Sequence, residues 1–228
     1  MRAPWQTLLG YTERLFRRAC PAQDPGELIR ELLGDLRPEP RQRLVFVETG
    51  CGPTTLVLAE VARRTGARVY ACGRDPKTFE ELRERAGDAL DDVTFLAGDS
   101  LHGLAQIATR YERVDFALFD SVPSATHTLR EFLLLEPRFG PGSRVLIDDA
   151  ALPGARLLLG PRRKGRLVVP YLLASPFWSV SAHPRTGGSM VSAVLDAIGA
   201  RSDASYEDPG WVDLWRAARE RKLRPVPV

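Results

Sequence analysis

The chain is short of cysteine, lysine, histidine and long apolar runs, and the shortages of cysteine and of apolar runs each remove a class of protein. Its three cysteines, Cys20, Cys51 and Cys72, are odd in number, widely spaced and without a C-x-x-C pair. That spacing argues against a disulfide scaffold or a zinc site and suits reduced thiols in the cytoplasm. Lysine is confined to Lys77, Lys164 and Lys222, the other cationic residues being arginine; no function attaches to that bias. A net charge of +3 is too small to call for a nucleic-acid or membrane partner. The most apolar window, Leu167 to Trp178, contains Pro170 and Pro176 and is too short to span a bilayer. No apolar stretch follows Arg2 in Met1–Gln6, so no signal peptide is expected. No internal repeat or low-complexity segment is visible.

What is present is the makings of one α/β core. The chain has 228 residues, 44% of them hydrophobic and 27% charged, which suits a single sizeable core. Residues 1–40 read as a helical extension, with Leu8, Leu9, Leu15 and Phe16, then Leu28, Ile29, Leu32 and Leu33, at helical spacing. Arg37-Pro38-Glu39-Pro40 closes it as a linker, leaving 41–228 as the main domain. There strands are expected at 44–48, 68–72, 93–96, 114–119 and 143–148. Helices are expected near 54–65, 76–88, 101–110 and 125–136. Short apolar strands alternating with helices imply a parallel sheet covered on both faces. A further helix is expected around 157–174, then a hairpin of Trp178–His183 and Met190–Leu195 about Gly187-Gly188, antiparallel because so short a connection holds no crossover helix. Residues 207–228 read as a surface helix and a proline-rich tail. Trp5, Trp211 and Trp215 are candidates for a contact between two copies of the chain.

The most informative stretch is Leu44-Val45-Phe46-Val47-Glu48-Thr49-Gly50-Cys51-Gly52-Pro53-Thr54-Thr55. A buried strand runs into an acid, two glycines one residue apart and small hydroxyl residues, which reads as strand, tight turn and helix start. Bare backbone at Gly50 and Gly52 lets a ligand approach the main chain. An acid in such a turn repels phosphate and favours a cationic or hydroxyl-bearing ligand. A dinucleotide-binding G-x-G-x-x-G turn is absent, since Pro53-Thr54-Thr55 offers no third glycine.

This E-x-G-x-G turn after the first of five parallel strands, with a C-terminal hairpin, resembles the class I S-adenosylmethionine-dependent methyltransferases, over about residues 43–197. The resemblance implies a Rossmann-like three-layer α/β/α sandwich with a mostly parallel seven-stranded sheet of order 3-2-1-4-5-7-6, the last strand antiparallel. It implies S-adenosylmethionine as cofactor, cationic at its amino group and sulfonium. Glu48, Gly50 and Gly52 would then cradle the methionine portion, with Thr54 and Thr55 at the helix start, where Thr54 reads equally as a helix cap. The family's ribose-binding acid at the end of the second strand is replaced by Gly73; Asp75 is the candidate for the ribose, or simply the cap of the helix at Pro76. In Gly98-Asp99-Ser100, Asp99 would meet the adenine amino group, with Ser100 beside it as a further candidate contact to the cofactor, and Asp99 too can cap a helix.

Strand four ends in Asp120 and strand five in Asp148-Asp149. Brought to one rim, three carboxylates repel unless one is protonated or a cation sits between them. A magnesium ion would serve, and the pattern is similar to the metal-dependent O-methyltransferases acting on catechols and macrolide sugars. Asp120, Asp148 and Asp149 are the candidate metal ligands, backbone caps being the alternative reading. Asp120, also a candidate contact to the cofactor, is a candidate catalytic residue. So are His127 and His183 as general bases, because imidazole titrates near neutral pH. His102 reads as a solvated residue, and Arg162-Arg163-Lys164 as a solvated turn. The activity expected is methyl transfer to an oxygen of a small molecule. The alternative is a methyltransferase-like module that binds a nucleoside without catalysis.

Overall fold

The computed structural model describes residues 23–37, 43–150, 164–185 and 188–196. The expected helix at 207–228, Trp5, Trp211, Trp215 and most of the 1–40 segment lie outside them. All five residues of β1 (Val45–Thr49) are buried, as expected of a strand covered on both faces, and their alternation separates two cores. Val45 and Val47 belong to one apolar cluster with Leu104, Phe132 and Trp178. Phe46 belongs to the other with Leu28, Ile29, Leu58 and Leu146. A strand's period of two decides which way each functional side chain at its end points.

The other elements follow in order: α1 (Pro25–Leu33) ahead of β1, then α2 (Pro53–Thr65), β2 (Arg68–Gly73), α3 (Pro76–Ala86), β3 (Val93–Ala97), α4 (Ser100–Arg110), β4 (Val114–Phe119), α5 (Ala125–Leu135), β5 (Phe139–Ile147), α6 (Gly165–Ala174), β6 (Trp178–Arg185) and β7 (Gly188–Leu195). They build one seven-stranded sheet of order β3-β2-β1-β4-β5-β7-β6. Strands β1 to β5 pair in parallel, and β7 runs antiparallel to both β5 and β6. The expected topology is the one observed.

Two local differences, in β5 and in α1, have physical causes. β5 begins at Phe139 rather than 143, carried through Gly140-Pro141-Gly142 by a left-handed Gly142 (φ 81°) and by a register shift against β4 between Val114 and Phe116. Helix α6 is described from Gly165, and the rest of the expected 157–174 helix lies outside the described residues. Helix α1, capped by the Asp24 side chain, is part of the core: Leu28, Ile29 and Leu33 are fully buried. Its C-terminal end is tied to β5, where Arg144 donates to the Leu32 carbonyl and to both carboxylate oxygens of Asp35.

Candidate active site

The C-terminal ends of β1, β4 and β5 are locked in step by backbone hydrogen bonds. The Asp120 amide donates to Thr49 (2.9 Å), Asp148 to Phe119 (3.2 Å), and Ala150 to Ser189 on β7 (3.0 Å). Two clefts open on this rim, where ligands of open α/β sheets bind. The first, of about 310 Å³, is lined by Gly50, Gly73, Asp75, Gly98, Ser100 and His127 among others. The second, of about 360 Å³, is lined by Asp24 and Ile29 of the α1 region with Thr54, Leu118, Asp148 and Met190. Cys51 and Asp120 belong to the walls of both.

The turn after β1 is held from behind. Glu48 shares the face of Phe46, toward α2, and is fully buried. One of its oxygens accepts from Thr54 Oγ1, the other from Thr55 Oγ1 at 2.5 Å. Thr55 Oγ1 in turn accepts the Gly52 amide at 3.0 Å. Burial pushes the Glu48 carboxyl up to about 7 against the lowering effect of the two hydroxyls. Glu48 therefore braces the turn and borders neither cleft, whereas Gly50, Gly52 and Thr54 do. A Cβ added to Gly52 or Gly98 would meet no protein atom within 4 Å, so both present bare backbone to open space, as a cradle for a bound nucleoside requires.

At the end of β2 a side chain at Gly73 would stand 3.0 Å from the Phe79 ring; that ring fills the place an acid would need. Asp75 caps α3 through the Lys77 amide (3.0 Å) and also lines the first cleft. Asp99 caps α4 through the Leu101 amide (2.9 Å) and pairs loosely with Arg74 at 4.0 Å. Its neighbours Gly98 and Ser100 form the wall.

Ser100 and His127 meet over Glu131, a residue that the sequence reading passed over. Glu131 on α5 is fully buried and accepts from Ser100 Oγ at 2.5 Å and Thr49 Oγ1 at 3.2 Å. His127 Nε2 lies 2.8 Å from Ser100 Oγ and 3.1 Å from the same Glu131 oxygen. Ser100 has one hydroxyl hydrogen and gives it to Glu131, so Nε2 of His127 must be the donor to both oxygens. The signal in the sequence was the i,i+4 spacing of His127 and Glu131, which reads as an exposed pair until α5 is packed on the sheet.

His183 is brought into neither cleft. It is 1% exposed, with Nε2 against Ser192 Oγ (2.7 Å) and Nδ1 against Gln23 Oε1 (3.1 Å). His102 bonds Gln106 on the exposed side of α4.

The three acids of the rim do not gather around a common point. Among the described residues no group of three His, Cys, Asp or Glu side chains is placed to hold a metal ion. Asp149 occupies a left-handed conformation (φ 48°) and lines neither cleft. The cation beside Asp120 is Lys164: its ammonium pairs with Asp120 and lies 3.9 Å from Asp148 Oδ2. Lys164 was expected in a solvated turn, yet its side chain is only 5% exposed. Burial raises the Asp120 carboxyl to about 6, with Lys164 pulling the other way. Cys51, at the junction of the clefts, is a free thiol that burial pushes up to about 11, so it is no ready nucleophile.

Known proteins agree with this architecture. A family model described as a methyltransferase domain matches residues 47–150. No curated protein matches the chain. Among solved structures, an O-methyltransferase from Bacillus cereus in complex with S-adenosylhomocysteine is similar at 22% identity and a TM-score of 0.57, covering 83% of this chain and 91% of that one. The O-methyltransferase TomG from Streptomyces achromogenes, solved with S-adenosylmethionine, is similar at 18% identity and a TM-score of 0.61, covering 86% and 92%. The mycinamycin-pathway methyltransferase MycE, solved with magnesium, S-adenosylhomocysteine and mycinamycin VI, is similar at 18% identity and a TM-score of 0.50, covering 84% of this chain and 54% of its own. No helix among the described residues is long and apolar enough to cross a membrane. The sheet order and the bare-backbone turn agree with this match: residues 47–150 are similar to a methyltransferase domain, and the fold is that of the O-methyltransferases above.

Proposed function

We propose that this enzyme methylates an oxygen of a small molecule, with the donor in the first cleft and the acceptor in the second. The observation that carries the reading is the shared wall: the two clefts have Cys51 and Asp120 in common, which is where a methyl group would pass between them. When bound, S-adenosylmethionine supplies an already activated methyl group on a sulfonium. The chain's own residues then have three tasks: holding the two reactants in line, excluding water and taking up the acceptor's proton.

Gly50 and Gly98 would admit the donor against the backbone, Asp75 would meet its ribose, and Gly52 would border the acceptor. Asp120 is the carboxylate placed to accept the proton of an acceptor hydroxyl, since it alone among the acids borders both clefts. Apolar Ile29, Val57, Leu118, Leu146 and Met190 beside Asp24, Asp120 and Asp148 suit an uncharged or cationic hydroxylated molecule better than an anionic one. In this reading the N-terminal extension (1–40) contributes α1 as a wall of the acceptor cleft on the methyltransferase domain (41–228). The residues present do not fit the magnesium ion expected from the acid pattern, because an ammonium already lies among the oxygens that would bind it.

A second reading, a nucleoside-binding module without catalysis, is kept by one observation: the position of the ribose-binding acid is Gly73, closed off by Phe79. Calorimetry with S-adenosylmethionine and S-adenosylhomocysteine, followed by a methyl-transfer screen over phenols, catechols and sugar hydroxyls, separates the two. Binding with transfer supports the enzyme, binding without transfer to any acceptor supports the module, and absence of binding defeats both.

A further inference from the structure

Lys164 is not a surface lysine that happens to fold inward. It immediately precedes α6, and the next residue, Gly165, lies so close to the backbone of Ala150 that an added Cβ would stand 2.1 Å from the Ala150 carbonyl oxygen. Ala150 is itself fully buried and fixed to β7 through Ser189. The start of α6 is thereby clamped onto the turn that follows Asp148-Asp149, and the clamp fixes where Lys164 leaves the backbone. A lysine is almost never fully buried without a partner; this one has Asp120 paired and Asp148 Oδ2 at 3.9 Å.

The charge arithmetic follows. Two carboxylates at the end of adjacent parallel strands need a positive charge between them. One ammonium leaves the group with a single net negative charge, next to the cleft proposed for a sulfonium donor. A divalent ion added beside that ammonium would meet a like charge at close range, a repulsion that the partly buried site screens poorly.

We infer that Lys164 takes the place of a divalent ion on this rim: its ammonium neutralises Asp120 and Asp148 and holds them in place, and methyl transfer proceeds without a metal. Lys164 is a positioning residue in this scheme. As the new oxygen–methyl bond forms, the carbon–sulfur bond breaks with its electron pair staying on sulfur, and the acceptor's proton goes to Asp120. The inference rests on the methyltransferase reading above for its chemistry, but its test does not.

Manganese is the probe, and electron paramagnetic resonance of the free ion measures its uptake by the full-length protein. The wild type is expected to bind none specifically. Lys164→Ala and the longer Lys164→Gln should open the acid pair to the ion and gain at least about tenfold in affinity, whereas Lys164→Arg should behave as wild type. Circular dichroism shows which variants fold. One tightly held Mn²⁺ per wild-type chain, or no gain in any folded variant that lacks the cation, overturns the inference. Titration with S-adenosylhomocysteine is run in parallel: loss of that binding in the wild type would strike the methyltransferase reading, and the manganese result would still stand by itself.

Discussion

The backbone of Gly50 lies against that of Asp120: a Cβ on Gly50 would come within 2.7 Å of the Asp120 carbonyl oxygen, and Gly50 already has φ 105°. The donor turn and the proposed base are therefore set by one close approach between β1 and β4. Gly50→Ala should cost roughly 3 kcal/mol from strain and displacement, read as a shift in the urea midpoint, and should weaken cofactor binding. Gly52→Ala is the contrast. Its backbone is extended (φ −179°), its Cβ meets no protein atom and it borders only the second cleft, so stability and affinity for S-adenosylmethionine should hold while KM for an acceptor found in the screen rises.

Glu48 gives a pH signature. Its carboxyl is raised to about 7 in the folded protein from an ordinary value of 4.5, so the folded state holds that proton more tightly than the unfolded chain. Stability from this group is present below pH 4.5 and is lost as pH rises toward and past 7. The loss is roughly 3 kcal/mol. Glu48→Gln removes the titration, and the stability difference between wild type and variant should drift by about that amount across this window in urea melts. Parallel curves from pH 4 to 8 would count against it.

Asp75 has two roles that one pair of variants can separate. Asp75→Ala removes the cap on α3 and should cost about 1 kcal/mol. Asp75→Asn keeps a capping oxygen, so its stability should be close to wild type. If Asp75 also grips the ribose, the asparagine variant will bind S-adenosylhomocysteine more weakly by calorimetry with its melting temperature unchanged.

A base must be deprotonated to act. With the Asp120 carboxyl raised to about 6, kcat with an acceptor found in the screen should rise with pH through that region and level off above it. Asp120→Asn should remove this limb and most of the turnover. An unchanged profile in the variant would assign the proton to another group.

The order of the sheet was legible because strand and helix periods alternate cleanly from Val45 to Ile147, and because glycines mark the turns. The bare backbone at Gly50 and Gly52 was legible for the same reason. Lys164 was not: in Pro161-Arg162-Arg163-Lys164-Gly165 every local sign is that of a solvated turn, and only the packing of Gly165 on Ala150 carries the ammonium inward. Glu131 was hidden in the same way, since an acid four residues after a histidine is ordinarily an exposed pair. Glu48 stood out as the acid of the turn, but that Thr54 and Thr55, at the start of the next helix, take both of its oxygens was not legible from spacing. Long-range contacts that override local pattern are what a single sequence does not display.

The bond from Arg144 to Leu32 and Asp35 has a bearing on how the enzyme could diversify. Every wall of the first cleft comes from a continuous length of chain between Gly50 and His127, whereas the second draws on Asp24 to Ile29 and on Met190. Arg144 moors that early length to the centre of the sheet, so substitutions there would reshape the second cleft and leave the walls of the first, the proposed seat of the methyl source, untouched.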